Sequence, residues 1–171
     1  MQERFRLTAL AATMMLALVP AMGQAEETGQ IKNANKISAD DLIVTGDICA
    51  NNDGQTYDVS APNITVGNKA LGVWVAGGST LNVMTGVEGR LEVDVTNAGN
   101  AEGVRSYNGA LNIDGGDSFE LNVNGRGSVG GLLAKDNSSL SASADNVSVI
   151  VNAEGERQKF CVHGIIGARQ T

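Results

Sequence analysis

The sequence predicts an all-β protein, a right-handed parallel β-helix of about four to five coils, with a signal-peptide helix in front. Three observations lead there. The composition is poor in aromatics (4%) and charge (18%) and carries 22 Gly against 2 Pro. No sustained 3.6-residue periodicity follows the N-terminus. A triplet of short alternating segments recurs with a period of about thirty residues from Ile64 to Ile166, the signature of a stacked, quasi-one-dimensional fold.

Met1 to about Ala25 reads as a secretory signal peptide. Arg4 and Arg6 supply the positive start, Leu7 to Val19 the apolar run, and Pro20 a helix break. Gly23-Gln24-Ala25 offers small residues around a cleavage site. The thirteen apolar residues fall short of the roughly twenty that span a bilayer. The mature chain is therefore expected to begin near Glu26. Residues 26–39 are polar and read as a leader or linker. Residues 40–62 carry weaker strand signals at Leu42–Val44, Asp47–Ala50 and Thr56–Val59, separated by turn residues, and read as an N-terminal cap or irregular first coil.

Residues 63–155 carry the repeats. The glycine that opens the middle strand recurs at Gly72, Gly103, Gly131 and Gly164, with steps of 31, 28 and 33 residues. The last apolar residue of the first strand recurs at Val66, Val95, Val123 and Val151, with steps of 29, 28 and 28. The leucine of the third strand recurs at Leu81, Leu111 and Leu140, with steps of 30 and 29. In so glycine-rich a chain one recurring Gly means little, but three markers agreeing on one period do not arise cheaply. Within a period, Leu91, Val93 and Val95 alternate with Glu92 and Asp94, so one face turns inward and the other outward. Such short strands bury their apolar face only against the same strand of the next period. An antiparallel β-sandwich also uses short strands and Gly-rich turns, but it does not require a repeat of whole triplets. Residues 156–171 break the pattern and read as an irregular, truncated last coil: 13 residues separate Val151 from Gly164, where the two preceding copies have 8.

The segments Gly72–Val83, Gly103–Ile113 and Gly130–Ala142, behind a signal segment, resemble the coils of an autotransporter passenger domain of a Gram-negative bacterium, adhesin-like or pertactin-like. The resemblance covers about residues 40 to 166 and implies export and a β-helix. Such passengers range over adhesins, aggregation factors, proteases and toxins. The C-terminal barrel that displays them has no counterpart after Val151, where twenty residues remain. The chain is therefore expected to be a fragment, a truncated or frameshifted product, or a short exported protein with its own cap.

Net charge is −7, and removing the N-terminal Arg4, Arg6 and Glu3 leaves 10 basic residues against 18 acidic ones. An acidic chain with scattered cations is a poor nucleic-acid binder. The stretch Gly125-Arg126-Gly127-Ser128-Val129-Gly130 fits a dinucleotide fingerprint, with Asp145 twenty residues on, but no helix-forming pattern follows, so turn glycines are expected. Gly116-Asp117-Ser118 suggests a serine nucleophile, but a strand begins at Phe119 and nothing links the single histidine, His163, to Ser118. Asp114-Gly115-Gly116-Asp117 is one partial copy of a calcium turn and reads as a β-turn. Cys49 and Cys161 are expected to lie about four coils, or roughly 19 Å, apart and unbridged. Trp74 faces outward, where an aromatic can anchor sugars or partners, but the next copy has Arg105 there, so no aromatic ladder forms. Asn63, Asn137 and Asn146 head N-x-S/T triplets, as an Asn- and Ser-rich chain produces by composition.

The expectation is therefore no catalytic, cofactor-binding or metal-ligating residue. The expected function is that of an exported, non-enzymatic cell-surface passenger fragment, adhesin-like, binding a surface glycan or protein of host or bacterium through its β-helix faces. Self-association through an open coil end is a further expectation. The competing expectations are a carbohydrate-active β-helix lyase or hydrolase, and a truncated gene product without function. The expected location is the cell surface, outer membrane or outside if the chain belongs to a full autotransporter, and the periplasm if it is complete.

Overall fold

The computed structural model describes residues 25–27, 36–51, 54–68, 70–154 and 165–168. Their strands are β1 (Ala25–Glu27), β2 (Lys36–Ser38), β3 (Asp41–Val44), β4 (Ile48–Ala50), β5 (Thr56–Ser60), β6 (Asn63–Asn68), β7 (Leu71–Ala76) and β8 (Thr80–Met84). There follow β9 (Arg90–Asn97), β10 (Ala101–Tyr107), β11 (Ala110–Asp114), β12 (Ser118–Gly125), β13 (Val129–Lys135), β14 (Ser139–Ala144), β15 (Asn146–Ala153) and β16 (Ile165–Ala168).

Every strand pairs in parallel with its counterpart one coil away. The first sheet runs β1-β3-β6-β9-β12-β15, the second β4-β7-β10-β13, and the third β2-β5-β8-β11-β14-β16. From β3 to β15 the chain visits the three sheets in the order first, second, third, and then begins again. The product is a β-solenoid with four complete coils among the described residues. The expected signal helix and residues 156–164 and 169–171 of the expected last coil lie outside the described residues.

Alternation in the sequence becomes stacking in the core. In the first sheet Leu42, Ile64, Leu91, Phe119 and Val147 follow one another in register. In the second, Ile48, Val73, Val104 and Leu132 do the same. The third stacks Tyr57, Leu81, Leu111 and Leu140. Ile64, Leu81, Leu91, Leu111, Phe119 and Leu132 are all buried to 1% exposure or less. Burying a side chain of this kind contributes about 1.5–3 kcal/mol.

Two of the three sequence markers keep their register. Leu81, Leu111 and Leu140 align directly. Gly72, Gly103 and Gly131 lie between the aligned pairs on either side of them. The valine marker needs a correction in its first step: Val66 pairs with Val93, while Val95 faces Asn68. The register is set where β6 begins, Asn63 against Arg90. β6 makes its last inward contact two positions earlier than β9, so counting from the end of the strand overstates the step.

Within residues 26–39, expected as a leader or linker, β1 pairs with β3 at the start and β2 pairs with β5 near the end. Three-residue strands joined by backbone hydrogen bonds leave no alternation long enough to read. Residues 40–62, expected as an N-terminal cap or irregular first coil, place one strand in each sheet, β3, β4 and β5. That coil is short: the step from Asp41 to Asn63 is 22 residues, against 28 from Arg90 to Ser118.

The glycine marker has a steric basis. A Cβ on Gly72 would lie 2.5 Å from Val93 Cγ1 and 2.6 Å from the Gly103 carbonyl oxygen. One on Gly103 would lie 2.6 Å from Leu121 Cδ1 and 2.7 Å from Val123 Cγ2. On Gly131 it would meet Val151 Cγ2 at 2.9 Å. The column of glycines thus lets the second sheet approach the apolar residues of the first.

Candidate functional site

The outward positions carry the remaining chemistry, and parallel register stacks like on like. On the third sheet Asp58, Asn82 and Asn112 form one column. Asn82 Nδ2 donates to Asp58 Oδ1 at 2.7 Å, and Asn112 Nδ2 donates to Asn82 Oδ1 at 2.9 Å. On the first sheet Asn63 Nδ2 donates to Asp41 Oδ1 (2.7 Å), and Asn122 Nδ2 to Asp94 Oδ1 (2.9 Å). An amide suits such a column because it both donates and accepts, whereas stacked carboxylates repel. Glu92 and Glu120 do stack, and Arg90 spans them at 3.3 Å and 3.0 Å.

A groove of about 370 Å³ opens where the first sheet turns toward the second, lined by Thr96, Asn97, Asn124, Arg126, Asn152 and Glu154 among others. Thr96, Asn124 and Asn152 are register partners on β9, β12 and β15. Asn152 Nδ2 donates to Asn124 Oδ1 at 2.8 Å. Arg126 Nε reaches Glu154 Oε2 at 3.3 Å, with both side chains mostly exposed (72% and 76%). The corner itself is tied down. Asn97 Nδ2 donates to the Asn100 carbonyl (2.8 Å), the Gly99 amide donates to Asn97 Oδ1 (3.1 Å), and the Ser128 amide donates to Asn100 Oδ1 (2.8 Å).

The second sheet presents a different surface. Cys49, Trp74, Arg105 and Leu133 share one column. The Arg105 guanidinium lies 5.7 Å from the Trp74 ring centroid, within cation–π range. Arg105 Nη1 also meets Glu102 Oε2 at 2.8 Å, and Trp74 Nε1 donates to Asp47 Oδ2. One face of the indole and its N–H are therefore engaged by the chain itself. Trp74 and Arg105, read from the repeat as separate outward residues, form one clasp across adjacent coils.

The motifs weighed in the sequence fall on corners and strand ends. Gly125 ends β12, Arg126–Ser128 form the turn, and Val129-Gly130 open β13, so strand rather than helix follows the fingerprint. Asp114 ends β11, and the Gly116 amide donates to its Oδ1 at 3.3 Å. The Asp114 carbonyl accepts from the Thr85 amide at 2.9 Å, and the Asp117 amide donates to the Gly89 carbonyl at 2.9 Å. The turn is thus built by hydrogen bonds within and between coils. Ser118 opens β12 on the outer face beside Arg90 and Asn146. Cys49 is buried in the first coil, and Cys161 and His163 lie outside the described residues. Of the N-x-S/T asparagines, Asn146 Nδ2 donates to the Asp117 carbonyl at 3.2 Å, and Asn137 has a left-handed φ of 54°.

Sequence reading did not single out the groove. Its signal was present: Thr96, Asn124 and Asn152 are spaced by 28, and so are Arg126 and Glu154. Glycines and apolar residues mark the core, and the polar columns carry the same period on the outer face.

The fold makes this chain a parallel β-solenoid. Compared with known protein families, curated proteins and solved structures, it matches none of them.

Proposed function

We propose that the protein is exported and acts without catalysis, as an adhesin-like binding solenoid. The observation that supports this is the outer surface. Three coil-spanning ladders of Asn and Asp, together with the Thr96–Asn124–Asn152 column, repeat hydrogen-bonding groups at about 4.8 Å intervals along rigid strands. Such a surface is fixed before it meets a partner, so little ordering entropy opposes binding. The basic start, apolar run and small residues before Glu26 support export.

Two measurements test the reading. N-terminal sequencing of the protein recovered from expressing Gram-negative cells, after fractionation, should find a start near Glu26 outside the cytoplasm. Intact protein retained in the cytoplasm would sink the export claim. The purified protein should adhere to bacterial or epithelial cells and leave polysaccharides uncut. Turnover of any polysaccharide would replace binding with a carbohydrate-active enzyme.

A further inference from the structure

We infer that the corner groove is a saccharide site, holding one extended glycan strand along the solenoid axis against Thr96, Asn124 and Asn152. This rests on the surface-binding reading and adds to it a place and a ligand class.

The bond from Asn152 Nδ2 to Asn124 Oδ1 uses one of the two N–H donors of Asn152 and one acceptor lone pair of Asn124. An amide carries two donors and an oxygen with two lone pairs, so each retains capacity in both senses among the described residues. Thr96 adds a hydroxyl that donates and accepts. A ligand that matches this column must itself alternate donors and acceptors at a regular interval. Sugar hydroxyls do both, and a glycan repeats them ring by ring along its length.

The wall of the groove agrees. Arg126 and Glu154 meet at 3.3 Å while remaining about three-quarters exposed. Exposed pairs of this kind hold each other weakly. Both can therefore turn to hydroxyls on the flank of a ligand, and Arg126 can meet a uronic carboxylate.

An extended peptide fits less well. Peptide strands bind at free sheet edges or place side chains in apolar pockets. β12 lies between β9 and β15, so its backbone groups are engaged on both sides. The groove lies across the outer face, and its lining is mainly amide, hydroxyl and charge. The pinned corner through Asn97, Asn100 and Ser128 keeps that lining in place.

The test uses the full chain, a printed array of host and bacterial oligosaccharides that includes neutral and uronic hexasaccharides, and titration against the best array ligands. Wild type should bind a subset. The double variant Asn124→Ala/Asn152→Ala should bind those about tenfold or more weakly, as expected for loss of one or two hydrogen bonds. Val87→Ala, at the exposed turn between β8 and β9 and outside the groove and the ladders, should bind as wild type. Asn124→Asp keeps an acceptor for Asn152 Nδ2 but removes two donors. It should melt as wild type yet bind more weakly, which separates a lost contact from lost folding.

Equal glycan binding by wild type and the groove variants would overturn the inference, as would displacement by peptides but not by sugars. Wild type that adheres to cells yet ignores every glycan would overturn the saccharide site and leave the surface-binding reading standing. Failure to adhere to cells and to glycans alike would remove the reading itself.

Discussion

At the residue scale, glycine and tryptophan show how much the stacked geometry decides. Gly72, the second residue of β7, has its missing side chain turned toward Val93 and the Gly103 carbonyl. A methyl group there meets backbone at 2.6 Å, which rotamer changes do not relieve. We expect Gly72→Ala to cost about 1–3 kcal/mol through overpacking, read as a lowered denaturation midpoint. An unchanged midpoint would mean that the two sheets part easily. The glycine period was legible in the sequence, but its cause was not, because the contact joins residues 21 positions apart on different sheets. Trp74 and Arg105 were both legible as outward residues of successive copies. Their pairing follows from register, which places them side by side. A double-mutant cycle with Trp74→Leu and Arg105→Gln should return a coupling of about 0.5–1 kcal/mol, typical of a partly solvated cation–π pair. A coupling near zero would reduce the clasp to proximity.

At the element scale, each strand is too short to stand alone and depends on the one below and the one above. Phe119 illustrates this, stacked between Leu91 and Val147 and fully buried. Truncating it leaves a cavity that strands fixed on both sides cannot fill. Phe119→Ala is expected to cost about 3–5 kcal/mol in chemical denaturation. Asn112→Ala is expected to cost little by comparison, since it ends an exposed ladder on the preceding coil. A small loss for Phe119→Ala would imply that neighbouring coils close around the gap. The central strands were legible because Leu-x-Val-x-Val and Leu-x-Ile put the core in plain alternation. The strands β1 and β2 were not, because backbone hydrogen bonding to a neighbour needs no side-chain pattern.

At the scale of the whole molecule, stability is close to a sum over coils and over contacts between successive coils. The coils of β6–β8 and β9–β11 have stacked neighbours on both sides in all three sheets. Amide hydrogen exchange should therefore be slowest in β6 to β12 and faster in β3, β4 and β15. Uniform protection from β3 to β15 would show that the solenoid opens as one unit. Its strands join residues 17 to 31 positions apart in parallel, so folding is expected to be slow for its size. By itself the sequence determined the class of fold, the period, and the inward residues of the central coils, because alternation and repetition are local properties of the chain. It also assigned the Gly-rich fingerprint, the Gly-Asp-Ser stretch and the Asp-Gly-Gly-Asp stretch to corners, since those fall between the alternating segments. Only the tertiary structure decided what stands beside what on the surface. The clasp of Trp74 and Arg105, the amide ladders, and the groove of Thr96, Asn124 and Asn152 arise from register. Register is set by where each strand starts and by how closely neighbouring sheets can pack, and neither can be read from one coil alone.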